Sequence, residues 1–247
     1  MRKTYLPLSI LCLLFSFLLL PVVKAGGKTA DATENVKVET STVNNNASVE
    51  AISNKLYDSL ELDELGLSKE AMTYAYKGQQ VLASQGALDK ENILTVVDFS
   101  QPSSQKRMYI IDVKNFKLLM NTYVAHGKNS GLQFAEKFSN KVESLQSSLG
   151  FYVTTKTYFG KHGLSLRLSG KDKGFNDNAE RRAVVVHGAP YIGENRADAA
   201  YMGRSFGCPA VPQSQSSKVI NLIKDGSALF VYHPSKSYLH GSTILNG

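Results

Sequence analysis

The sequence predicts a mainly β fold with a few helices added, and three observations carry this. From residue 93 onward, short apolar runs of strand length recur, separated by Gly, Ser, Asn and Pro. The first three of these runs are joined by connections short enough for a meander. Nowhere do strands alternate with helical patterns, as a parallel α/β sheet requires.

Taken in order, the chain opens on Met1-Arg2-Lys3, a mostly apolar run over residues 5–23, and Val23-Lys24-Ala25. A basic start, an apolar middle and a small-residue site form the pattern of a secretory signal, which predicts an exported protein with residues 1–25 removed. The apolar core is short for a membrane span and Pro21 interrupts it, so membrane contact is expected only through this segment if it is kept. Residues 26–48 are rich in Lys, Thr, Glu, Ser and Asn, with little bulk to bury, and predict a disordered tether.

Residues 49–88 predict a helical pair packed on the main domain. Val49, Ile52, Leu56 and Leu60 recur at helical spacing. The second helix opens at Ser68 as N-cap, carries Met72, Ala75, Gln79 and Leu82 on one face, and stops near Gly86. Tyr74 and Tyr76 are assigned to core packing. The main domain follows over residues 92–236, with strands at 93–99, 107–112, 118–125, 150–155, 164–168, 183–186 and 228–232. Residues 214–224, with Val219, Ile220, Leu222 and Ile223, predict a short helix towards the C-terminus. Residues 237–247 are assigned to a C-terminal tail.

The chain has 28 Lys and Arg against 21 Asp and Glu, a formal charge of +7. Without Arg2, Lys3 and Lys24 the excess is about +4. This suits an anionic polymer, but there is no dense basic stripe of the kind nucleic acid requires. The five histidines contain no HExxH motif, and no paired thiols stand at metal-ligand spacing, which leaves a zinc site assembled from scattered histidines as a minor alternative. Of the two cysteines, Cys12 lies inside the apolar N-terminal run, which leaves Cys208 without a disulfide partner.

Cys208 sits in Gly203-Arg204-Ser205-Phe206-Gly207-Cys208-Pro209, a turn suited to exposing a side chain rather than burying one. Upstream, Ala183-Val184-Val185-Val186 ends at His187-Gly188, so a strand end holds an imidazole rigidly. An imidazole can take a thiol's proton, and the amides of Gly207 and Cys208 can face a developing oxyanion. Ser205 is expected to cap the turn, with no part in proton transfer.

These segments resemble the catalytic domain of the YkuD-type L,D-transpeptidases, and most closely the murein L,D-transpeptidase catalytic-domain proteins. The similarity runs through Val124-Ala125-His126-Gly127, Phe138-Ser139-Asn140, Ser147-Ser148-Leu149-Gly150, Gly160-Lys161-His162-Gly163, Arg182, His187-Gly188 and Gly203 to Val211, covering residues 93–232. It implies a β-sandwich or barrel-like catalytic domain acting on peptidoglycan stem peptides in the periplasm or at the cell surface. It further implies Cys208 as nucleophile, His187 as general base oriented by the Gly188 carbonyl, Gly207 as oxyanion donor, and no cofactor. Arg204, Ser205, Phe206, His126 and His162 are expected to contact substrate. Water in place of an amine acceptor would make the enzyme an L,D-carboxypeptidase, and loss of chemistry would leave a wall-binding module. The chain departs from the family pattern at Phe206, where relatives carry histidine, and at Pro209-Ala210-Val211, where an aliphatic-Arg pair is usual. Arg204, Arg181 or Arg182 is expected to replace the arginine, and His126 or His162 the imidazole.

Overall fold

The structure, a computed structural model, describes the backbone of residues 34–247 and side chains from residue 47. The expected secretory segment lies outside the described residues, as does the start of the tether. Residues 40–247 form one compact unit; residues 34–39 are the described part of a separate N-terminal unit.

Helix α1 spans Glu34–Ser59 and α2 spans Lys69–Ser84. Helix α1 therefore starts inside the segment expected to be a tether. Residues 34–48 contain neither Gly nor Pro, so nothing in them stops a helix from propagating beyond its packed half. That half buries Leu56, while Ile52 is largely exposed. Helix α2 begins as expected: the Ser68 side chain accepts from the Ala71 amide at 3.1 Å, and Gly86 takes φ +64 just past the end. Its face of Met72, Ala75, Gln79 and Leu82 is buried. Gly78 lets the helix approach the sheet, since a Cβ there would meet the Phe151 ring at 2.0 Å. Tyr76 is buried, and Tyr74 stacks on Tyr232 with ring centres 6.3 Å apart.

Eight strands form one sheet. They are β1 Ile93–Asp98, β2 Met108–Asp112, β3 Lys117–Thr122, β4 Gly150–Gly160, β5 Gly163–Gly170, β6 Val185–Ala189, β7 Ala210–Pro212 and β8 Ala228–Tyr232. Their spatial order is β3-β2-β1-β8-β4-β5-β6-β7. The β1/β8 and β6/β7 contacts are parallel and the rest antiparallel. β1 and β8 lie at the centre and are buried along their whole length, which explains their unbroken apolar runs. The sheet nearly closes on itself, because residue 125, just past β3, bridges residue 210 of β7 at the other end. The Thr122 hydroxyl, bonded to the Gln215 side chain, ties the same seam.

Helix α3, Ser216–Ile223, packs Val219, Ile220 and Ile223 into the core. The expected tail folds into α4, Lys236–Gly241, and α5, Thr243–Asn246. Tyr238, Ile244 and Leu245 are buried there, and Asp172 accepts from the hydroxyls of Tyr238 and Ser242. Short length hid these two helices, and hid β7, which is three residues long and ends in proline.

Candidate active site

Strand register brings the thiol and the imidazole together. His187 on β6 pairs with Ala210 on β7, two residues after Cys208. The turn before β7 is held from its other side. The Ser205 amide donates to the His126 carbonyl at 3.0 Å, and the Lys128 amide donates to the Ser205 carbonyl at 2.8 Å. Cys208 and His187 line one cavity of about 490 Å³.

The turn closes on the Ser205 hydroxyl, which accepts from the Gly207 amide at 3.0 Å and donates to the Cys208 carbonyl at 2.6 Å. Ser205 thus caps the turn, and it also lines the cavity. The same bonding corrects the role expected for Gly207, whose N–H is already taken. The Cys208 amide has no hydrogen-bond partner among the described residues and is the donor left for an oxyanion. Gly207 is required for another reason. Its φ is +121, and a Cβ would come within 2.7 Å of the Gln146 carbonyl oxygen.

His187 is buried, and its Nδ1 lies 2.9 Å from the Gly188 carbonyl. A carbonyl only accepts, so Nδ1 carries the proton and Nε2 is left as the basic nitrogen. Burial lowers the His187 pKa, the Gly188 bond opposes this, and nearby His162 adds to the lowering. The balance favours the neutral imidazole. The Cys208 thiol donates to the Ala183 carbonyl at 3.7 Å and makes no hydrogen bond to His187. Burial raises its pKa, while the Val185 amide and the Arg182 charge pull it down. Ala183 adopts φ +52, a strained conformation for a residue with a Cβ, and it presents its carbonyl to the sulfur.

The cavity is cationic. Lys161, Arg182 and Arg204 line it, and no Asp or Glu does. Arg182, half-buried, donates to the Ser139 carbonyl, the Ser148 and Ser144 hydroxyls and the Gln146 carbonyl. Four of its five donors thus clamp the loop over residues 139–148, so it is a tie rather than a carboxylate hook. Arg181 is exposed and does not line the cavity. Arg204 uses only Nη1, on the Lys128 and Gly131 carbonyls, and keeps Nη2 and Nε unbonded. Phe206 is 70% exposed at the rim, with Lys128 Nζ 4.8 Å from its ring centre. His162 lines the cavity and stacks on His187.

His126 is the residue the sequence misplaces. It is fully buried outside the cavity, with Nδ1 2.8 Å from Arg107 Nη2 and Nε2 3.3 Å from the Gly131 carbonyl. Burial, and then the Arg107 charge, push its pKa down to about 4. Arg107, itself fully buried, also donates to the Val124 and Gln101 carbonyls and lies over the Phe99 ring. Sequence reasoning missed Arg107 because a lone arginine before an apolar run reads as surface. It also missed Tyr158 and Tyr191, which line the cavity from regions with no motif. Among the described residues, no three His, Cys, Asp or Glu side chains are placed to hold a metal ion.

The fold and site define a class: a near-closed mixed sheet with a thiol and an imidazole in one cavity lined by basic side chains. The family is narrower. Residues 63–232 match the L,D-transpeptidase catalytic domain model, and the chain belongs to that family. The match starts thirty residues before β1 and takes in α2, so the second helix is part of the family's domain rather than an addition to it. A comparison with curated protein sequences gives no match. Among solved structures, an L,D-transpeptidase from Mycobacterium smegmatis is 13% identical over 57% of this chain and 59% of that one, with a TM-score of 0.35. The helical cell shape determining protein Pgp2 from Campylobacter jejuni is 13% identical over 65% and 57%, with a TM-score of 0.39. An L,D-transpeptidase from Stackebrandtia nassauensis is 14% identical over 67% and 68%, with a TM-score of 0.33. The chain spans about three fifths of the first two.

Proposed function

We propose that this protein is an exported cysteine acyltransferase that cross-links or remodels peptidoglycan stem peptides as an L,D-transpeptidase. The observation that carries the reading is the shared cavity of Cys208 and His187, with Nδ1 of His187 fixed on Gly188 and Nε2 free, inside the residues that match the family. Export rests on the N-terminal sequence pattern alone.

Rotation of the Cys208 side chain off the Ala183 carbonyl brings Sγ to Nε2, which takes its proton. The thiolate attacks the carbonyl of the third stem residue, and the oxyanion that forms accepts from the Cys208 amide. The imidazolium returns its proton to the terminal D-residue's nitrogen as the carbon–nitrogen bond breaks, leaving a thioester. An amine from a second stem then attacks the thioester, passes a proton to His187 and releases the sulfur, which recovers it. Arg204 supplies the cation that pairs with a stem carboxylate. The lowered His187 pKa keeps the base neutral to more acidic pH than a free imidazole, so the acid limb of activity falls below the usual histidine range.

The test is purified protein with disaccharide-tetrapeptide, beside Cys208→Ala, followed by mass spectrometry. Cross-linked dimer with loss of the terminal D-residue is expected. Tripeptide alone would reassign the enzyme as a carboxypeptidase, and the absence of any Cys208-dependent product would reject both activities on this substrate.

A further inference from the structure

We infer that His162 is a positioning residue for the base. Its ring, stacked on His187, holds that imidazole in place and stabilises the cation formed when His187 removes the Cys208 proton. The inference rests on the reading of His187 as the base.

The placement follows from register. Ser165 on β5 pairs with His187 on β6, while Gly160 and Gly163 pair across the β4–β5 hairpin. Only Lys161 and His162 remain in the turn, which therefore fixes its side chains as a long loop would not. Gly163 supports this with φ +75. The two imidazole rings lie 4.3 Å apart between centres and 25° from parallel. With the Nδ1 bond to Gly188, the stack is the second restraint on the His187 ring.

The stack changes in strength when His187 changes charge. A neutral imidazole presents an electron-rich face, and a cation over an aromatic face is attracted to it. Two cationic rings at that spacing repel. Around the pair stand Lys161 on the same turn, Arg182 and Arg204 across the cavity, the tyrosines 158 and 191, and Cys208. The first three are basic side chains, and no carboxylate lines the cavity. With no anion besides the thiolate to offset the new charge on His187, the ring face of His162 is the group placed to do so.

The readout is carbamidomethylation of Cys208 by iodoacetamide in the full chain, followed by peptide mass from mildly acidic to mildly alkaline pH. It reports the thiolate without any wall substrate. Alkylation that depends on His187, in a protein inert towards stem peptides, would sink the transpeptidase reading while leaving this one standing. His162→Ala is expected to alkylate about tenfold more slowly at neutral pH. His162→Phe keeps a ring face and is expected to stay within about threefold of wild type. Wild-type rates in His162→Ala, or equal losses in both variants, would each overturn the inference.

Discussion

His126 and His187 approach the same turn from opposite sides and have opposite fates. Both are buried imidazoles with lowered pKa. His126 has both nitrogens in use, one at Arg107 and one at Gly131, and it lies outside the cavity. His187 spends Nδ1 on Gly188 and keeps Nε2 open towards the cavity that holds Cys208. The arginines divide in the same way: Arg107 and Arg182 are tied to carbonyls and hydroxyls, whereas Arg204 keeps two nitrogens free. Chemistry is assigned by the hydrogen-bonding capacity left over, and residue type alone does not reveal it.

The contrast can be broken most directly at the two histidines. His187→Gln should lower transfer by about a hundredfold or more, with only a small change in thermal unfolding, because beyond the base it removes a single ring stack on His162. His126→Gln should do the reverse, lowering the melting temperature while each folded molecule keeps most of its activity. Activity per folded molecule, set beside a melting curve, separates the two, and equal behaviour would dissolve the distinction.

Next in size is Arg107→Met, which leaves the Val124 and Gln101 carbonyls and His126 Nδ1 without their donor. A loss of about 3 kcal/mol in urea unfolding is expected. A variant as stable as wild type would show that the pair is not the support of the turn.

The pH dependence of stability sharpens the same point. The folded-state pKa of His126, about 4, lies below the unfolded value. Between the two, the unfolded chain binds the extra proton. This contribution is therefore intact above the ordinary histidine pKa and is lost as pH falls towards 4, an upper bound of roughly 3 kcal/mol. Urea midpoints that fall through that window in wild type but less steeply in His126→Gln would bear this out. Smallest of all, Arg204→Ala should raise KM about tenfold with kcat nearly unchanged, since it deletes a carboxylate partner rather than a reacting group. A loss confined to kcat would move Arg204 into the chemistry.

Much of this was legible in the sequence because it obeys local rules. The meander, the Ser68 cap, the Gly86 stop and the buried central strands follow from periodicity and turn residues. The turn around Cys208 was legible because a glycine at φ +121 leaves a mark in sequence. What escaped depends on distant partners. The Gly207 amide is lost to a hydroxyl two residues away whose rotamer no pattern records. Arg107 is buried by Val124 and Gln101, far from any motif. The three residues of β7 become a strand only because β6 and residue 125 flank them.

That seam bears on the order of assembly. The turn that holds Cys208 leads into the last strand of the sheet order, and that strand is also gripped by the chain leaving the first. The β6–β7 pairing brings the two side chains to one cavity, and closure of the sheet adds the ties from residues 125, 126 and 128 that hold the Cys208 turn from its other side. The geometry around the thiol is thus completed by contacts between the two ends of the sheet, so the last tertiary contacts to form are also the ones that fix the site.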